Sequence, residues 1–165
     1  MRNWAVYIGG TVAALIVALV IAGYLLPVAH VASVEARFAR PPADVFAAIE
    51  DVRRYPEWRP DVSRVDVLSE SPRVRWKESG SNGDITFELE DRVVPTRLQS
   101  RIADPSLPFG GSWTYEVTPS GSGTRVRITE RGEVYNPIFR VLSRFVFGHT
   151  ATMEQFLQNL AGKLR

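Results

Sequence analysis

Two carboxylates in this 165-residue chain occupy positions from which they could exchange a proton with a bound molecule. Glu130 is in phase with Val126 and Ile128 along a predicted strand, so its side chain should point inward with them. Glu78 is in phase with Trp76 in the same way. A carboxyl group in an apolar cavity has a raised pKa and can donate or accept a proton.

A structural explanation exists for each of these groups and for the third candidate, His149. The carboxylates could lie at open strand ends or pair with an arginine such as Arg92. His149 lies four residues before Met153 and so shares the inward face of the last helix. It could contact a ligand or act as a general acid or base, or it could simply bond a backbone carbonyl near Gly148. A general base needs a partner that orients it, and the neighbouring sequence offers none.

Aromatic side chains on inward or loop positions form a second group of candidates, because apolar ligands occupy aromatic-lined cavities with few polar groups. The predicted ligand-binding residues are Trp58, Trp76, Phe87, Phe109, Trp113, Tyr115, Glu130, His149 and Met153. We expect the loop residues Trp58 and Phe109 to line an entrance. The alternative is that the aromatic rings fill a hydrophobic core.

Composition excludes several kinds of site. The chain has no cysteine, which rules out disulfides, thiol nucleophiles and cysteine metal sites. The histidines, His30 and His149, lie far apart in sequence, which argues against a multi-histidine metal site. The 20 basic and 18 acidic residues lack the basic excess typical of nucleic-acid binders. We therefore predict no metal, no cofactor and no nucleic-acid partner.

The first 30 residues predict a single-pass anchor in the cell membrane. No charged residue or histidine occurs between Trp4 and Ala29, and about 20 apolar helical residues suffice to cross a bilayer. A cleaved signal peptide is the main alternative. The apolar run is long for a signal peptide, and cleavage after Ala29 would place Pro27 at the −3 position, where a small residue is required. A buried soluble helix is the third. The side of the membrane on which residues 31–165 lie stays open.

Residues 31–165 predict one α+β domain. The pattern is a strand, a helix opened by Pro41-Pro42, about six antiparallel strands and a helical C-terminus. An antiparallel sheet with its apolar face covered by a long helix is a common layer architecture. In the C-terminal segment, Ile138, Val141, Leu142 and Phe145 share one helical stripe. The stripe leaves Phe139, Val146 and Phe147 as candidates for contact with a membrane.

Segment 39–62, ARPPADVFAAIEDVRRYPEWRPDV, resembles the opening of the START-like helix-grip superfamily (SRPBCC), in its polyketide cyclase/dehydrase and lipid-transport group. Segments 109–117 and 132–157 are similar to a membrane-anchored branch of that group. The resemblance covers residues 31–165. It implies a curved antiparallel sheet wrapped around a long C-terminal helix, with a cavity between them.

The expected function is a membrane-anchored binding protein for a hydrophobic small molecule, with a lipid as the first expectation. The resemblance also allows an enzyme of the cyclase or dehydratase kind that uses Glu130 or His149 as acid or base. A third possibility is an interaction module whose cavity is filled, because this fold hosts many functions.

Overall fold

The computed structural model describes the backbone of residues 2–165 and all of their side chains except those at positions 2, 3, 5, 6 and 147. Its helices are α1 (Arg2–Leu25), α2 (Pro42–Glu50), α3 (Pro137–Leu142) and α4 (Ala151–Lys163). Its strands are β1 (Ala29–Phe38), β2 (Val62–Ser69), β3 (Arg75–Gly80), β4 (Gly83–Val93), β5 (Arg97–Ile102), β6 (Phe109–Ser120) and β7 (Gly123–Val134). A 3-10 turn (Val52–Glu57) precedes β2, and a π turn (Ser143–Phe147) follows α3.

The seven strands form one curved antiparallel sheet in the order β1-β7-β6-β5-β4-β3-β2. The sequence neighbours β1 and β2 are therefore the two edges of the sheet. Inward and outward side chains alternate as predicted, and β1 turns every second residue from His30 to Phe38 towards the interior. The α+β helix-grip prediction is confirmed.

The core lies between the concave face of the sheet and the helices α2 and α4. Helix α2 has a proline in its first turn, where no intrahelical donor is lost, and Asp44 in the same turn complements the helix dipole. Burial of one large apolar side chain stabilises the fold by about 1.5–3 kcal/mol. The fully buried residues of the core are Val45, Ile49, Val117, Val126, Ile128, Met153 and Leu160.

The C-terminal segment before Gly148 is not the single regular helix that its predicted stripe implied. Gly148, with φ of 73°, separates the π turn from α4, which has 13 residues. The π turn changes the angular spacing of side chains, because its hydrogen bonds join residues five apart. Phe145 was expected to face the core and is instead 70% exposed, and Ile138 is also exposed. The side chain of Phe147 lies outside the described part of the chain.

Helix α1 contains the one segment among the described residues, Tyr7–Leu25, that is long and apolar enough to cross a membrane. Those of its side chains that the structure describes are mostly exposed, and among them Leu19 and Val20 are half-buried. Gly23 is buried because the backbone of α1 lies directly against Pro137 at the start of α3. A Cβ atom at Gly23 would overlap the carbonyl oxygen of Pro137.

Arg140 links the end of α1 to the domain through backbone carbonyls alone. Its Nε donates to the carbonyl oxygen of Val134 at 2.8 Å, and its Nη2 donates to Tyr135 at 2.9 Å. Its Nη1 donates to Gly23 at 3.1 Å and to Leu26 at 3.3 Å. A buried charge is costly unless such partners satisfy it, so Arg140 holds the two chain segments together. We call these contacts the Arg140 joint.

Replacing Arg140 with glutamine should weaken this joint. The glutamine amide has two N–H donors and cannot replace the four hydrogen bonds of the guanidinium, so buried carbonyl groups lose their partners. We expect Arg140→Gln to lower the free energy of unfolding by about 3 kcal/mol in the full chain, measured in detergent by denaturant titration. The control is Arg144→Gln, because Arg144 is exposed one turn later. Equal unfolding curves for the two variants would contradict the assignment.

Candidate ligand-binding cavity

A cavity of about 440 Å³ opens between the sheet, the 3-10 turn and the segment from α3 to α4. Its wall is mainly apolar. Seven of the nine residues predicted to bind a ligand lie on it: Trp76, Phe87, Phe109, Trp113, Tyr115, Glu130 and His149. Small residues, among them Ser100, Gly110 and Ser112, form part of the remaining wall. The structure thus gathers side chains from β3 to β7 around one space.

Trp58 and Met153 are corrections to the predicted set, because neither lies on the cavity wall. Met153 is fully buried in the core, where the inward face of α4 meets the sheet. Trp58 packs edge-on against Phe156, with ring centroids 5.4 Å apart, and against Tyr55 at 5.2 Å. The 3-10 turn folds Trp58 back onto α4, so this residue supports the wall from behind instead of lining an entrance.

One polar group of the cavity surrounds Glu78 and is called here the Arg59 cluster (Arg59, Asp61, Trp76 and Glu78). Arg59 Nη1 donates to Glu78 Oε2 at 2.9 Å, and Nη2 donates to Asp61 Oδ2 at 2.5 Å. Trp76 Nε1 donates to Glu78 Oε1 at 3.0 Å. Burial raises the pKa of Glu78, and the Arg59 guanidinium opposes that rise.

The arginine partner of Glu78 was not identifiable from strand periodicity. Arg59 lies in the irregular stretch after the 3-10 turn, and its guanidinium carbon sits 4.8 Å from the ring centre of Tyr55. Arg92, the arginine suggested by the sequence, pairs with Glu50 on the surface. The pairing of Glu78 with an arginine makes its carboxylate a structural charge as well as part of the cavity wall.

The second polar group, the histidine cluster, consists of His30, His149 and Glu130. The two imidazole rings stack with centroids 3.7 Å apart and an interplanar angle of 24°. His30 Nε2 lies 3.6 Å from Glu130 Oε1, and this nitrogen is buried without a hydrogen-bond partner among the described residues. A side chain at Gly132 would overlap both the His30 ring and Glu130, so the absence of a Cβ there makes the cluster possible.

Partial burial shifts the pKa values of the three groups in the histidine cluster towards their neutral forms. Burial lowers the pKa of His30, and burial together with the neighbouring His30 lowers the pKa of His149. Burial raises the pKa of Glu130, while the indole of its cross-strand neighbour Trp113 opposes the rise. A neutral carboxyl group can donate a hydrogen bond and a neutral imidazole can accept one, so the cluster suits a hydroxyl or carbonyl group on a ligand.

His30 is the functional candidate that the sequence analysis missed. His30 and His149 lie far apart in sequence but meet in the structure, because β1, which pairs with β7, begins beside the turn into α4. The signal was available: His30 has the same parity as Ala32 and Val34 on the inward face of β1. Among the described residues, no three His, Asp or Glu side chains form a group suited to a metal ion.

The two polar groups stand near opposite edges of the sheet. Glu130 lies on β7 beside the edge strand β1, and Glu78 lies on β3 beside the other edge strand, β2. The aromatic residues of β4 and β6 line the wall between them. The arrangement therefore fits an elongated apolar molecule with polar atoms that reach one or both ends.

The two buried carboxylates should respond oppositely to neutralisation. Burial places the folded-state pKa of Glu130 above its ordinary value of 4.5, so stability is highest below that pH and falls as the pH rises through the folded-state pKa. Glu130→Gln avoids this loss. We expect the variant to gain on the order of 1 kcal/mol relative to wild type between pH 4.5 and 7.

Glu78→Gln is the matched control, because Glu78 is ion-paired with Arg59. Its neutralisation should lower the free energy of unfolding by about 2 kcal/mol at pH 7. Denaturant titrations of the full chain in detergent at several pH values measure both effects. A large loss of stability in Glu130→Gln would instead identify Glu130 as part of a structural ion pair.

Comparison with known proteins gives one family match. The model of the polyketide cyclase/dehydrase and lipid transport family matches residues 29–165. Among curated protein sequences, none matches this chain.

Several solved structures share the fold. A START superfamily protein from Mycobacterium smegmatis has a TM-score of 0.64 at 16% identity, over 82% of this chain and 97% of that one. A protein from Thermus thermophilus has a TM-score of 0.67 at 23% identity, over 82% and 97%. The Zhui aromatase/cyclase from a Streptomyces species has a TM-score of 0.66 at 11% identity, over 82% and 93%. At these identities the likeness establishes the fold alone.

Proposed function

Since the chain belongs to the polyketide cyclase/dehydrase and lipid transport family, we propose that it binds a hydrophobic small molecule, such as a lipid, in this cavity. In this proposal residues 1–30 anchor the chain in the cell membrane, and residues 31–165 form the ligand-binding domain. The ligand partner is a small molecule and the second partner is the membrane itself.

The observation that carries the proposal is an open cavity with an aromatic wall and polar groups at its two ends. Its volume of about 440 Å³ is within the range of small-molecule sites, roughly 300–1,000 Å³. Enclosure removes apolar ligand surface from water, which contributes roughly 25 cal/mol for each Å². A space of this size counts against the interaction module with a filled core.

The histidine cluster supports a second candidate, an acid–base enzyme of the cyclase or dehydratase kind. His30 and Glu130 stand 3.6 Å apart on the cavity wall, and His149 stacks on His30. In this candidate, one imidazole removes a proton from the ligand, and Glu130 in its protonated form gives its proton to a leaving hydroxyl group, which departs as water. Tyr135 does not join this group, because its hydroxyl donates to Glu133.

Filling the cavity tests the binding proposal. Ser100 is buried on the wall, and Gln99, its neighbour on β5, points to the other face of the sheet. In the full chain purified in detergent, native mass spectrometry should find a co-purifying small molecule in wild type and in Gln99→Phe. Ser100→Phe should lose at least nine-tenths of it while keeping its circular dichroism spectrum. Full retention by a folded Ser100→Phe variant would place the ligand elsewhere and contradict the proposal.

The co-purifying molecule also separates binding from catalysis. A binding protein should return that molecule with its mass unchanged after incubation. A dehydratase should return a product lighter by one water, and Glu130→Gln should abolish the change while still holding the starting molecule. An unchanged mass in wild type would remove the dehydratase candidate for this ligand.

A further inference from the structure

We propose that α3 and the π turn lie in the interfacial layer of the bilayer beside α1 and form the rim through which the ligand enters the cavity from the membrane. This rests on the proposed function in two respects: the location of the segment needs α1 as a membrane anchor, and the entry route also needs the cavity to bind a hydrophobic ligand. It adds a location for residues 137–147, a lipid bilayer as the partner of their exposed surface, and a route for the ligand.

The depth of α3 follows from where it contacts α1. Among the residues of α1 whose burial the structure describes, the covered ones are Leu19, Val20 and Gly23. Gly23 follows Leu19 by four residues and Val20 by three, so the three positions lie on one face of the helix. Helix α3 packs against the side of α1 at its last turns, and it does not lie beyond the end of α1 along the helix axis. Residues 19–25 span about 9 Å at 1.5 Å per residue. When α1 crosses a bilayer, α3 consequently lies within about 10 Å of the edge of the hydrocarbon layer.

The surface of this segment suits that depth. Phe145 is 70% exposed and Val146 is 65% exposed, and Ile138 and Phe139 are also exposed on the preceding helix. Adjacent exposed apolar side chains of this size are unusual on a surface in contact with water and are typical of segments that lie in a membrane interface. Helix α3, which carries Ile138 and Phe139, packs against α1, and the π turn follows α3 directly. The exposed apolar side chains of the segment therefore lie close to α1, and a bilayer around α1 is the partner that we assign to them.

The two charged residues of the segment are compatible with this location. Arg140 is buried, and backbone carbonyls accept from its guanidinium in the Arg140 joint, so it presents no unsatisfied donor to the membrane. Arg144 is exposed, and its long side chain can extend to the phosphate layer. No acidic residue occurs between positions 137 and 147.

The same segment closes one end of the cavity. Phe139, Ser143 and His149 contribute to the cavity wall, and Phe109 lines it from the loop end of β6. Phe139 is thus both exposed on the outside and in contact with the cavity. A small displacement of the α3 and π-turn segment would therefore connect the cavity with the lipid phase. A hydrophobic ligand taking this route would not need to cross water.

The absence of native cysteine allows a direct test of depth, because single-cysteine variants of the full chain carry one spin label each. Phe145→Cys and Val146→Cys probe the segment, and Val94→Cys, exposed in the distant turn between β4 and β5, is the matched control. The labelled chains are reconstituted in vesicles of phosphatidylcholine and phosphatidylglycerol. Collision of the label with oxygen and with a water-soluble nickel complex is measured by electron paramagnetic resonance.

Both segment positions should favour collision with oxygen, and position 94 should favour the nickel complex. Nickel accessibility at 145 and 146 equal to that at 94 would overturn the proposal. Low accessibility to both reagents would also overturn it, because it would indicate a protein partner on this surface. This measurement needs no ligand, so its result is independent of whether the cavity binds one.

The entry route has its own test. The doubly charged variant Phe145→Glu/Val146→Glu should extract fluorescent phosphatidylcholine from vesicles at least tenfold more slowly than wild type. Leu68→Glu, an exposed substitution on β2, should not change the rate. Unchanged extraction by the folded double variant would overturn the entry route. If wild type extracts no lipid, the lipid form of the proposed function fails, and the oxygen and nickel measurement alone decides where the segment lies.

Discussion

The position of the apolar helix α1 relative to the domain depends on the hydrogen bonds of one buried guanidinium, that of Arg140. Arg140 finds its acceptors in two places: the end of β7 and the end of α1. Neither source alone uses all of its donors, so folding of the domain and docking of the helix are coupled. Because Gly23 has no side chain, α1 can approach α3 closely enough for its carbonyl groups to accept hydrogen bonds from Arg140. The position of the apolar helix relative to the sheet follows from these two residues.

The Arg140 joint also determines what lies next to the apolar helix. It holds α3 against α1, and α3 leads through the π turn to His149, which stacks on His30. His30 in turn belongs to the strand that begins four residues after α1 ends. The end of α1, the start of β1, α3 and the turn before α4 therefore lie together at one corner of the molecule. In our proposal this corner is where the cavity meets the membrane, and burial there shifts the pKa values of both histidines and of Glu130 towards their neutral forms.

Local patterns in the sequence were sufficient for the fold. Alternation along the strands, the proline-opened helix α2 and the apolar stripe of α4 each reflect burial on one face, which depends only on neighbours in the chain. They were not sufficient for the pairing of His30 with His149 or of Glu78 with Arg59. Those contacts depend on the register of β1 on β7 and on the path of an irregular turn. Phe145 was misplaced for a related reason, because a π turn changes the helical spacing on which the stripe was based.

The most direct test of this account is the distance distribution between α1 and the sheet in the membrane-reconstituted full chain. Spin labels at Leu15→Cys on α1 and Val94→Cys at the far end of the sheet report it by double electron–electron resonance. The account predicts one narrow distribution, centred on the separation in the structure, which broadens when Arg140 is replaced by glutamine. A broad distribution in the chain that retains Arg140 would show that the helix is only a flexible tether, and would contradict the account.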